Sequence, residues 1–69
     1  MFIVTEYNYD ENIVGAYHTL DDAKDIIQSN LPSLTWEWLV DPIKPKRTYA
    51  LTNKVILFVI DEENSWPVD

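Results

Sequence analysis

The stretch VILFVI, residues 55–60, is an unbroken apolar run in a chain of 69 residues. A strand with one wet face alternates polar and apolar residues, so a run of this kind reads as a strand covered on both faces. Thr52, Asn53 and Lys54 before it give a turn or bulge, and TYAL before those reads as a short strand. Residues 61–69, DEENSWPVD, read as an acidic C-terminal tail with one apolar anchor, Trp66.

Further back, TWEWLV alternates, placing Trp36, Trp38 and Val40 on one face and Thr35, Glu37 and Leu39 on the other. DPIKPKR, with two prolines and three basic residues, is the loop that follows. At the other end, MFIVTEYNY is rich in β-branched and aromatic residues and reads as a strand. Asp10, Glu11 and Asn12 make the turn, and IVGAYH is the returning strand of a hairpin, with Gly15 marking a bulge or a close packing contact.

Between the hairpin and TWEWLV the period changes. Leu20, Ala23, Ile27 and Leu31, flanked by Ile26, follow helical spacing and form a buried stripe. Thr19 is the N-cap, with Asp22 three residues on, while Asp21 and Asp22 sit where the helix dipole favours anions. Asn30, suited to a left-handed cap, and Pro32 end the helix.

These elements predict an α+β protein: a small antiparallel sheet of four or five strands, in chain order β-β-α-β-β-β, with one helix packed on one face. Residues 1–69 make a single domain, which at this length buries only roughly 60% of its unfolded surface. With no cysteine, there is no disulfide, thiolate metal site or cysteine nucleophile. Apolar content of 46% against 25% charged residues is globular composition rather than disordered.

One short helix leaves the second face of the sheet open. Along residues 55–60, Val55, Leu57 and Val59 point one way and Ile56, Phe58 and Ile60 the other. Either the C-terminal segment around Trp66 folds over the open face, or another chain covers it. The tail is too short to cover several large side chains, so Trp36, Trp38, Ile56, Phe58, Ile60 and Trp66 form a candidate apolar interface.

The opening half, FIVTEYNYDENIVGAYHTLDDAKDII, resembles small uncharacterised bacteriophage and prophage proteins that begin with a strand, an acidic turn, a second strand and a capped helix. The resemblance covers residues 2–27 and brings no catalytic residues. It implies a phage or prophage origin.

The chemistry points away from catalysis. His18 is the sole histidine and precedes a helix cap, so no set of metal ligands converges on it. The acids of DEN and DEE lack the glycine and ligand alternation of a calcium loop, and three serines sit in no nucleophile elbow. With one glycine there is no phosphate loop. No catalytic residue, metal or cofactor is expected. The absence of a basic leader or a long apolar segment predicts a cytoplasmic protein without a membrane span.

Charge is the strongest functional signal. Twelve acidic residues against five basic ones give a net charge of −7, which disfavours general phosphate-backbone binding. The basic residues concentrate in an island, Lys44, Lys46, Arg47 and Lys54, with no acid among them. With Trp36 and Trp38 this island offers a single-stranded nucleic-acid surface, against the simpler reading that it pairs with the chain's own acids. Glu6, Asp10, Glu11, Asp21, Asp22 and Asp25 instead suggest an acidic face that occupies a basic channel in place of DNA, although acidic surfaces also serve solubility alone. The leading expectation is an accessory protein that binds a host protein, such as a nucleic-acid-processing or defence enzyme, and inhibits or modulates it. The alternative is a homodimeric structural or regulatory module without inhibitory activity.

Overall fold

A computed structural model describes residues 1–7 and 13–63. Asp10 and Glu11 of the expected acidic face, and Trp66 of the expected interface, lie outside the described residues. The chain forms β1 (Phe2–Glu6), β2 (Ile13–Tyr17), α1 (Leu20–Asn30), β3 (Trp36–Val40), β4 (Arg47–Thr52) and β5 (Val55–Glu62). All five strands join one antiparallel sheet in the order β2-β1-β5-β4-β3, the α+β arrangement expected from the sequence.

The apolar run 55–60 belongs to the middle strand of this sheet, which explains why it does not alternate: both of its edges are paired and both of its faces carry buried residues. On one face, Phe58 and Ile60 join Val4, Ala50, Ala23 and Ile27 in the core beneath α1. On the other, Val59 is 5% exposed and Ile3 7% exposed.

The helix crosses from the β2 edge to the β3 edge and packs over β1, β2 and β5. Thr19 caps it as expected, its Oγ1 accepting from the Asp22 N–H at 3.0 Å. Ala23 and Ile27 are fully buried, with Leu20 and Ile26 packed against the core. The C-terminal end differs from the expected left-handed cap: Leu31 is the C-cap at φ −134° and Asn30 is helical. Pro32 accounts for this, because the residue before a proline is driven out of the helical region into extended backbone. Leu31 therefore leaves the buried stripe and is 40% exposed.

Two other boundaries depart from the sequence reading, while the turn expected before β5 is present with Thr52 drawn into β4. β4 is a full six-residue strand rather than a short one, because it is paired on both sides. Asp61 and Glu62 extend β5, so the acidic tail begins beyond them. Asn53 and Lys54, at φ 54° and 66°, form a two-residue hairpin turn of the kind that matches strand twist.

A bulge also resets the phase of β5. Ala50 pairs with Phe58 but Leu51 pairs with Ile56, leaving Leu57 as the extra residue. Ile56 thus shares a face with Leu51, opposite to Phe58 and Ile60. Gly15 lies beside a second bulge, in β2, where Val14 is the extra residue between the Gly15–Val4 and Ile13–Thr5 pairs, and a Cβ at Gly15 would meet the Tyr17 hydroxyl at 2.6 Å. Both readings of Gly15, bulge and close contact, apply.

Candidate interaction surfaces

Three surfaces can be built from these elements. The first is the outward side of α1, where Asp21, Asp22 and Asp25 are exposed. Residues four apart on a helix lie one above the other, so Asp21 and Asp25 share a stripe, with Asp22 beside it. The helix's one cation, Lys24, is turned the other way, with its Nζ 5.2 Å from the Trp38 ring centroid. Among the described residues no ion pair ties these three exposed carboxylates to a cation.

Glu6 does not belong to that stripe. α1 begins shortly after Tyr17, which pairs with Phe2 at one end of the sheet, whereas Glu6 ends β1 at the other. The expected acidic face is accordingly divided between two ends, because the β1–β2 hairpin carries the chain the length of a strand between Glu6 and Tyr17.

The second surface is the sheet face opposite α1. By strand alternation it carries Ile3 and Thr5 of β1, Val59 and Asp61 of β5, and Arg47, Tyr49 and Leu51 of β4, and Tyr7, just past the end of β1, sets its ring against Tyr49. Arg47 and Asp61 are register partners and form a two-point ion pair, Nε to Oδ1 at 2.7 Å and Nη2 to Oδ2 at 3.2 Å. The carboxylate holds the guanidinium proton even more firmly than usual, raising the Arg47 pKa. Tyr7 and Tyr49 meet edge to face, centroids 6.4 Å apart. A shallow cavity of about 160 Å³ lies here, lined by Thr5, Glu6, Tyr7, Arg47, Val59 and Asp61.

Asp41 fixes the loop beside this face. Its Oδ1 accepts from the Ile43 and Lys44 N–H groups at 2.8 and 3.1 Å, and its Oδ2 accepts from the Tyr49 hydroxyl at 2.5 Å. The Tyr49 hydrogen bond, followed by the two backbone bonds, lowers the Asp41 pKa, and the same carboxylate raises that of Tyr49. The sequence signal for this was Asp-Pro opening a loop, since aspartate side chains bond the backbone just ahead of them.

Among the described residues the second face thus carries polar and aromatic pairs beside the buried Ile3 and Val59, and little of the apolar interface expected there. Phe58 and Ile60 lie under α1 because the alternation of β5 puts them on the same face as Val4. Trp36 and Trp38 are half-buried on that same helix side, stacked 6.3 Å apart, with Trp36 6.0 Å from Phe58. Only Ile56 of the described set is on the opposite face.

The basic island is also dispersed. Lys44 and Lys46 are exposed in the β3–β4 loop, Arg47 is held by Asp61, and Lys54 is in the hairpin turn at the far end of β4. A six-residue strand separates the two groups, roughly 20 Å. Arg47 and the two tryptophans point to opposite faces, so they do not compose one stacking surface for a single strand of nucleic acid.

The third surface is the free edge of β3, where Leu39 and Val40 are 53% and 54% exposed. Its pairing with β4 runs without a bulge from Trp36 to Val40. The opposite edge, β2, is bulged, which breaks the regular ladder a new strand would need.

Among the described residues no helix is long and apolar enough to cross a membrane. Comparisons of the chain with family models, with curated proteins and with solved structures find no match.

Proposed function

We propose that this chain is a binding protein rather than an enzyme, and that the outward side of α1 engages a basic surface on another protein. The observation that carries this reading is the exposed stripe of Asp21, Asp22 and Asp25, with Lys24 withdrawn over Trp38. A net charge of −7 adds a long-range attraction to any basic target and repels nucleic acid itself. The natural target of such a surface is a protein whose own ligand is a polyanion, such as a nucleic-acid-processing or defence enzyme, which the bound chain inhibits or modulates. The resemblance of residues 2–27 to small phage proteins makes that target a host protein, met in the bacterial cytoplasm.

The test is capture from nuclease-treated bacterial lysate with the wild-type chain beside a variant carrying Asp21→Asn, Asp22→Asn and Asp25→Asn. Support is a protein retained by the wild type, lost with the variant, and released in proportion to added salt. Retention unaffected by the variant and by salt would remove α1 as the binding element.

A further inference from the structure

We infer that the β3 edge pairs with β3 of a second copy of this chain, in one register centred on Trp38. The argument begins with the direction of the backbone groups. The Asp41 N–H donates to the Arg47 carbonyl at 2.9 Å, so Asp41 turns its backbone toward β4. Along an antiparallel strand this direction alternates, so Glu37 and Leu39 also bond inward, while the N–H and C=O of Trp36, Trp38 and Val40 point out of the sheet. These groups are a template for one more strand.

Two identical strands meeting antiparallel across a two-fold axis pair residues of the same parity, which leaves few registers. Centred on Glu37, the two Glu37 carboxylates stand directly opposite each other. Centred on Leu39, Glu37 opposes Asp41 of the second copy and Trp36 opposes Pro42, which has no N–H to give. Centred on Val40, Trp38 opposes Pro42. Centred on Trp38, every outward group finds a partner: Trp36 opposes Val40 of the second copy, Trp38 opposes Trp38, and about six backbone hydrogen bonds form. Glu37 then opposes Leu39, and no acid faces an acid.

This self-complementarity is what a second copy supplies and an unrelated strand does not. Among the described residues nothing else obstructs it. α1 packs over β1, β2 and β5 and meets β3 on one sheet face alone, where Lys24 lies over the Trp38 ring and the Trp36 Nε1–H donates to the Leu31 carbonyl at 3.4 Å, so these contacts leave the in-plane edge open. The symmetry places both helices on the same side of a continuous ten-stranded sheet, and the stacked Trp36–Trp38 pair continues into its counterpart.

The solution mass of the full chain tests this, by light scattering and sedimentation. The wild type is expected at twice the 8.1 kDa chain mass. Val40→Pro removes an outward donor and blocks the approaching strand while leaving the bonds to β4 in place, so it is expected at half that mass with an unchanged circular dichroism spectrum. A second measurement holds even if that variant does not fold. The chain has no cysteine, and residues 37 and 39 of opposing copies would be non-hydrogen-bonded partners with Cα atoms about 4.5 Å apart, within disulfide range. Mixing Glu37→Cys with Leu39→Cys chains is expected to give a mixed disulfide dimer well above what either forms alone. A wild-type monomer at millimolar concentration, a folded Val40→Pro variant that remains dimeric, or no preference for the mixed disulfide would each overturn the inference. The first outcome would leave the edge to a strand from a different protein.

Discussion

Arg47 and Asp61 face each other across the β4–β5 pair, and the guanidinium meets the carboxylate at two points, 2.7 and 3.2 Å. The pair joins the two strands at the end of the sheet where both chain termini of the described structure meet: the Met1 ammonium donates to the Glu63 carbonyl at 2.9 Å. It is 33% and 28% exposed on its two sides, so water screens it in part. Asp61→Asn should cost about 1 kcal/mol, read as a fall of several degrees in melting temperature. Urea melts at low and high salt check the origin of the loss, since the wild-type advantage should shrink as salt rises.

The Asp41–Tyr49 hydrogen bond should give stability a pH dependence at both ends of the scale. Asp41 titrates below the ordinary aspartate value of about 4, so its contribution is complete above that value and is lost as pH falls through the lowered one. Tyr49 titrates above the ordinary tyrosine value of about 10, so its contribution is complete below that value and is lost as pH rises through the raised one. The stability difference between wild type and Tyr49→Phe should therefore be level between those pH values and narrow outside them. Denaturant midpoints measured across pH would show it. A difference that stayed constant into acid would mean that Asp41 does not act through Tyr49.

Ile27 is fully buried between α1 and the sheet. Truncation to alanine should cost about 2 to 5 kcal/mol. In a domain this small that is much of the total stability, so Ile27→Ala is expected to be largely unfolded at 37 °C by circular dichroism.

Thr19 supplies the N-cap oxygen for α1. Thr19→Ala should lose about 1 kcal/mol in a chemical melt, whereas Thr19→Ser, which keeps the acceptor, should melt close to wild type.

Lys54 holds a φ of 66°, a conformation that costs an L-residue roughly 1 kcal/mol and glycine little. Lys54→Gly should therefore raise the melting temperature by a few degrees, and a fall would show that the lysine side chain stabilises the turn.

Much of this architecture was legible in the sequence because each element carries a local signal. The period of Leu20, Ala23 and Ile27 announces the helix, the Thr19 cap its start, and residues 55–60 a strand covered on both sides. What could not be read was phase and pairing. The bulge at Leu57 has no sequence mark within an apolar run, yet it moves Ile56 to the face opposite Phe58. The position of each strand in the sheet was equally hidden, so the alternation of residues 55–60 gave two faces without saying which one met the helix. For the candidate surfaces, exposure of Asp21, Asp22 and Asp25 follows from helical spacing. The Arg47–Asp61 pair did not, because both residues were read as parts of charged segments flanking the strands rather than as register partners within them.

The pairing of Phe2 with Glu62 at the centre of the sheet has a consequence for how the molecule reaches its fold. The strands most distant in sequence are neighbours, so the central ladder forms only after a loop of nearly the whole chain has closed, and the entropy of that closure precedes the contacts that offset it. The β1–β2 hairpin with α1 can bury little of its apolar stripe until β5 arrives, and the β3–β4–β5 meander lacks the helix that covers Phe58 and Ile60. Neither half is a stable intermediate by itself. The domain should unfold in a single cooperative step, with backbone amides of β1 and β5 exchanging hydrogen only through complete opening of the chain.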